Sequence, residues 1–187
     1  MFMNPFTRCD NPYPLLVGMT GVKMGDRFAQ IGCADGGRLA AVAAKVGLSG
    51  RAAAAVPDEA TADRARKAAA RAGVLVEVDV ASPSRLPFED GAFNIVIVDN
   101  TAGLMATMRA EDRVAMVRET ARILVPGGRV MVLSRAERGG IGAVLSRAQS
   151  GPPFDPQPSL QADGFKAVRL LAEREGLVFV EGLKQRV

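Results

Sequence analysis

The segment Asp26-Arg-Phe-Ala-Gln-Ile-Gly-Cys-Ala-Asp-Gly36 constrains the fold more than any other. A short apolar run stops in small residues, and an amphipathic run, Gly37-Arg-Leu-Ala-Ala-Val-Ala-Ala-Lys-Val46, follows at once. A strand that ends in glycines at the mouth of a helix turns the helix's free N–H groups outward and lets a ligand approach the backbone. Open α/β sheets are built from such units, and their ligands sit at the carboxyl ends of the strands.

The rest of the chain supplies that sheet. Arg27 to Cys33 reads as the first strand, and Leu39, Val42, Ala43 and Val46 share one face of the helix after it. Arg51 to Val56 is a second strand, weak in β propensity because it is mostly alanine. Pro57-Asp58-Glu59 starts a helix that runs to about Arg71 and is closed by Gly73. Leu75 to Val80 is a third strand. Phe93 to Val98, nearly all β-branched, is a fourth that reads as buried on both faces. A helix over Glu111 to Leu124, a turn at Pro126-Gly-Gly128 and a fifth strand over Arg129 to Leu133 follow. Units of this length give parallel strands with right-handed crossovers. The expected fold is therefore a doubly wound, mostly parallel, Rossmann-like α/β sheet with helices on both faces.

The ends are less regular. One helix over about Ala162 to Glu175 and one strand over Leu177 to Val180 are expected to finish the chain. That shortens the sheet on its C-terminal side and leaves an edge open to a second copy or a partner subunit. Ile141, Val144, Leu145 and Ala148 mark a small amphipathic helix, either a lid or core packing, and the prolines between Gly151 and Pro158 make a loop. Asn11-Pro-Tyr-Pro14 reads as a turn. A single domain spans 1–187: an N-terminal cap over 1–25, a core over 26–135, and a loop, helix and strand over 136–187.

Composition narrows the chemistry. The chain has 187 residues, no histidine and two cysteines, Cys9 and Cys33, whose spacing suits no zinc site. Without histidine, the commonest general base near neutrality is missing. The net charge of +4 comes from scattered arginines rather than a basic block interleaved with aromatics, which argues against nucleic acid as a partner. No apolar run approaches the roughly 18 residues of a membrane span. The opening Met1 to Phe6 has no basic start and no long apolar stretch, so a cytoplasmic location is expected.

Four stretches in order resemble the class I S-adenosylmethionine-dependent methyltransferases, in particular the small-molecule branch. Gly25 to Gly36 is similar to that family's first glycine motif. Val56-Pro-Asp-Glu59, about twenty residues on, stands where a ribose-reading loop belongs. Leu86-Pro-Phe-Glu-Asp-Gly-Ala-Phe-Asn-Ile-Val96 is similar to the family's run into the fourth strand, and Arg118 to Val130 to its helix, proline-glycine turn and fifth strand. The resemblance implies S-adenosylmethionine as cofactor and methyl transfer to a small-molecule nucleophile by in-line displacement. It places Gln30, Gly32, Cys33, Ala34, Asp35 and Gly36 around the methionine and ribose, with Val56 and Pro57 beside the ribose. Asp79 and Ser82 become adenine candidates, and Asp99, Asn100 and Thr101 face the sulfonium and the substrate.

The departures matter too. Gln30 and Val56 stand where the family carries acids, and Ala34 where it carries glycine; Asp58 and Asp35 are the nearest carboxylates that could replace a ribose acid. These departures imply the alternative, a catalytically degenerate methyltransferase-like binding or scaffold protein. A nicotinamide-dependent dehydrogenase is disfavoured because the one tyrosine, Tyr13, precedes the glycine turn. Cys33 reads as packing rather than as a nucleophile. Asp99 and Asn100 read either as substrate orienters or as caps of the loop after them. Asp155 and Asp163 read as solvated loop acids. No general base is assigned.

Overall fold

The computed structural model describes residues 13–136 and 154–186. Along them run α1 (Pro14–Thr20), β1 (Arg27–Ile31), α2 (Gly36–Val46), β2 (Arg51–Val56), α3 (Glu59–Ala72), β3 (Glu77–Val80) and β4 (Phe93–Asp99). After these come α4 (Leu104–Thr107), α5 (Ala110–Ile123), β5 (Leu124–Arg135), α6 (Gln157–Ala162), β6 (Lys166–Arg174) and β7 (Leu177–Leu183). One seven-stranded sheet has the order β3-β2-β1-β4-β5-β7-β6. The first five strands are parallel; β7 pairs antiparallel with both β5 and β6. The expected doubly wound sheet is observed. Chain order reverses between β1 and β4, the position where open sheets of this kind part their loops and hold a ligand.

The central strands β1, β2 and β4 are buried on both faces, and the sheet's inward side chains alternate between two cores. Ala29, Ile31, Val96, Val98, Val130 and Val132 join Met116, Val117 and Ile123 of α5 on one side. Phe28, Ala52, Ala54, Val56, Ile95 and Met131 join Leu39, Val42, Ala62 and Ala65 of α2 and α3 on the other. This period of two is what a sheet covered on both faces requires. The alanines of β2 lower its β propensity, yet they are buried and Ala52 and Ala54 pack in the core shared with α2 and α3. A Cβ on Gly36 would lie 2.7 Å from Cβ of Ala68.

The C-terminal region corrects the sequence reading. No helix covers Ala162 to Glu175: α6 ends at Ala162, and Lys166–Arg174 form the edge strand β6. Leu170, Leu171, Ala172 and Glu173 suit a helix by local propensity, but pairing with β7 overrides it. Glu175 and Gly176 both have positive φ, 53° and 73°. That is the left-handed pair of a two-residue hairpin turn, and it fixes Arg174 opposite Leu177. The sheet thus ends in two strands, not the single shortened one expected. The fifth strand also begins earlier than expected. It pairs at Leu124 with Phe93 and resumes at Arg129 with Ile95, the proline-glycine turn bulging between. The small helix expected around Ile141 to Ala148 lies outside the described residues, as do Cys9, Asn11 and Pro12.

Phe93 anchors this middle of the sheet. It is fully buried, meets Phe88 edge-on at 5.1 Å and carries the Arg51 guanidinium 5.1 Å from its ring. Phe93→Ala is expected to lower unfolding free energy by about 3–5 kcal/mol in urea denaturation.

Candidate functional site

Between β1 and α2 the chain must reverse in a few residues at the carboxyl end of the sheet. Gly32 does so with φ +75°, where a Cβ would also lie 3.1 Å from Cδ2 of Leu104. Its N–H donates to the Ala55 carbonyl at 2.8 Å, tying the turn to β2. Its carbonyl accepts from Nε2 of buried Gln30 at 2.9 Å. An acid at position 30 could not donate this bond unless protonated, so the amide here is matched to the backbone it supports.

Asp99, at the end of β4, reaches across to the turn. Its Oδ2 accepts from the Ala34 N–H at 2.9 Å, and its Oδ1 from the Thr101 N–H at 3.1 Å and the Thr101 hydroxyl at 2.6 Å. Only 3% exposed, the carboxylate gets from these donors, and from Arg38 Nη1 at 3.7 Å, the compensation a buried charge needs. Asn100 fixes the next loop, accepting from Met105 N–H at 2.7 Å and donating to the Ser134 hydroxyl at 3.1 Å. The capping reading of Asp99 and Asn100 describes these bonds.

Two residues that the sequence reading did not include complete the cluster. Arg38, in the first turn of α2, donates from Nη1 to the Thr101 hydroxyl at 2.9 Å and from Nε to Asp35 Oδ2 at 3.3 Å. Tyr13, just before α1, donates its hydroxyl to the same Asp35 oxygen at 3.0 Å. Asp35 caps α2 by accepting from the Gly37 N–H at 2.8 Å. Partial burial pushes the Asp35 carboxyl up, but the bonds from Gly37, Tyr13 and Arg38 outweigh it and hold the group below the ordinary range. The available signals are a cation in the first turn of α2 and the lone tyrosine of the chain.

The other expected residues are spread along the carboxyl edge. Ala34 is exposed at the tip of the turn, whereas the space beside Gly36 is filled by α3. Val56 is fully buried in the core under α2 and α3, and Pro57 is exposed. Asp79 is exposed on the edge strand β3, and Ser82 shares a 2.8 Å hydroxyl contact with Ser84. The structure brings the turn, Arg38 and Asp99 to Thr101 into one cluster; Asp79 and Ser82 stand apart from it. Cys33 is buried, and burial first, then the Asp99 and Asp35 charges, push its thiol up to about 12. Asp155 accepts from the Gln157 N–H at 2.9 Å just before α6, and Asp163 pairs with Arg118 at 3.1 Å; neither joins this cluster. A groove of about 540 Å³ opens at the opposite end of the sheet, between Gly47, Leu48, Gly73 and Leu75. It contains none of the clustered residues.

A sheet of this order, with its loops parting at a tight glycine turn, is the arrangement in which open α/β sheets hold nucleotide-type ligands. The sequence profile of the family described as a methyltransferase domain matches residues 28–128, from β1 into the turn before Arg129, and the chain belongs to that family. It is 30% identical over 150 residues to an uncharacterized protein of Mycobacterium tuberculosis, covering 80% of this chain and 50% of that one. It is 33% identical over 117 residues to the 27-O-demethylrifamycin SV methyltransferase of Amycolatopsis mediterranei, covering 62% of this chain and 40% of that one. The solved structure of a SAM-dependent methyltransferase from Aquifex aeolicus superimposes with a TM-score of 0.73 at 17% identity, over 90% of this chain and 87% of the other. The chain spans about half the length of the first curated relative.

Gln30→Glu is expected to cost about 1–3 kcal/mol of stability at neutral pH, because a carboxylate would face the Gly32 carbonyl. Burial and that carbonyl raise the folded-state pKa of the new acid, so the loss should shrink as pH falls through it and the protonated group donates. Urea titrations at neutral and acid pH measure both. In a Cys9→Ser background, a thiol reagent at pH 8 should modify Cys33 only when the chain is unfolded.

Proposed function

We propose that this chain is the S-adenosylmethionine-binding domain of a methyltransferase whose acceptor is a small-molecule nucleophile. The supporting observation is the Asp35–Arg38–Asp99 cluster at the glycine turn, with Arg38 only 13% exposed between two carboxylates. A guanidinium flanked by carboxylates complements the carboxylate and ammonium of an amino-acid end, and negative charge beside the turn suits a sulfonium. The residues present fit the methionyl part of the cofactor. When bound, the cofactor supplies a methyl group already activated by its positive sulfur.

The chain's own part is placement. Asp99 holds the turn against β4, so the exposed Ala34 tip and the Thr101 loop keep one spacing across the crevice. Arg38 exchanges its intramolecular partners for a ligand carboxylate, and Asp35 keeps α2 capped while this happens. No histidine exists in the chain, and the Cys33 thiol is held near 12. Neither supplies a general base near neutrality, which favours an acceptor that is already ionised or attacks through a free lone pair and releases any proton to solvent. The rifamycin enzyme among the relatives is consistent with a small-molecule acceptor. The location expected is the cytoplasm; among the described residues no helix is long and apolar enough to cross a membrane.

Calorimetric titration tests the reading. S-adenosylhomocysteine is expected to bind saturably in the micromolar range, and absence of saturation at millimolar ligand overturns the proposal. Arg38→Met is expected to weaken that binding about tenfold, ~1.4 kcal/mol. It should leave 5′-methylthioadenosine, which has no amino-acid end, unchanged. The buried valine at the end of β2 favours the second reading, a binding protein without turnover. Saturable binding without methyl transfer to any acceptor of a broad small-nucleophile panel would select it.

A further inference from the structure

We infer that this site takes an adenosyl ligand without reading the ribose hydroxyls, and so accepts 2′-deoxy and 3′-deoxy adenosyl ligands about as readily as the parent. The inference rests on the adenosyl reading above and concerns the end of β2, which nucleotide-binding sheets of this type set beside the ribose and furnish with an acid.

Here the groups nearest that end already hold partners within the chain. Val56 is fully buried and shares its core with α2 and α3. The Val56 carbonyl accepts from the Ala81 N–H at 2.9 Å, and Pro57 has no N–H to offer. Asp58, on the same loop, spends both oxygens on Thr61: Oδ1 on the N–H at 2.7 Å and Oδ2 on the hydroxyl at 3.0 Å. Those bonds cap α3 and hold the Asp58 carboxyl below its ordinary pKa. Glu59 pairs with Arg66. On the facing turn, Asp35 is shared among Gly37, Arg38 and Tyr13. On the neighbouring strand, Val80 is the residue in register with Val56, and Asp79 lies opposite Ala55 on the other face of the sheet. A ribose placed at this edge meets the Pro57 ring and solvent, whereas a dedicated carboxylate would hold both hydroxyls by charge-assisted bonds.

The experiment compares S-adenosylhomocysteine with its 2′-deoxy and 3′-deoxy counterparts by calorimetric titration of the native chain. The three dissociation constants are expected to agree within about threefold. A charge-assisted hydroxyl contact is worth about tenfold or more, so a deoxy ligand weaker by that factor overturns the inference while leaving the adenosyl reading intact. If the parent itself does not bind, the adenosyl reading fails and this one with it. Asp58→Asn, which keeps the helix cap, is a second arm. It is expected to leave all three constants unchanged, and a loss confined to the parent would assign ribose reading to Asp58 and overturn the inference.

Discussion

The Asp99 carboxylate is the contact on which the rest of this site depends. It sits almost out of solvent at the end of the central strand β4 and needs donors from outside its own strand. The donor from the glycine turn is the Ala34 N–H, and those from its own loop are the Thr101 N–H and hydroxyl. A charge so placed makes the position of the turn relative to β4 a condition of folding rather than a consequence of ligand binding. Arg38 then closes the cluster electrostatically and, through Asp35, connects it to Tyr13 and the N-terminal segment. The geometry of the crevice is built before anything enters it.

Much of the architecture was legible because it follows from local pattern. The glycine turn, the β-branched run Phe93 to Val98 and the Asp58 start of α3 each reflect a strong rule of backbone or burial, and each lies where expected. The C-terminal edge was not legible. The run Lys166 to Arg174 is rich in residues that favour a helix, and only the hairpin partner seven residues long, Leu177–Leu183, makes it a strand. That decision is made in three dimensions and has no periodic trace. In the candidate site, the turn and the end of β4 that sequence singles out are brought together, and both are strand ends. Sequence missed Arg38 and Tyr13, since an arginine in a helix and a tyrosine before one are ordinary until folding sets them against Asp35. The fate of Asp58 was also hidden: a carboxylate near a binding edge and a carboxylate capping a helix look alike in one dimension.

Small residues serve two ends here. Along α2 and α3 they let the two helices approach until Gly36 has no room for a side chain beside Ala68. The same closeness commits the side-chain position of Gly36 to helix packing, whereas Ala34 stays exposed at the tip of the turn. The departures from the family pattern at Gln30 and Val56 are similarly structural: one is matched to a carbonyl, the other to a core.

Among the described residues no strand pairs with the far side of β6, and an open edge of this kind invites neighbouring molecules to add strands. Its ladder is interrupted twice, between Lys166 and Arg169 and between Leu170 and Ala172, with Ala167 in a left-handed conformation. An incoming strand would find its hydrogen-bonding groups out of step at both irregularities, and lysine and arginine flank them. The molecule therefore carries its own guard against growing into a continuous intermolecular sheet.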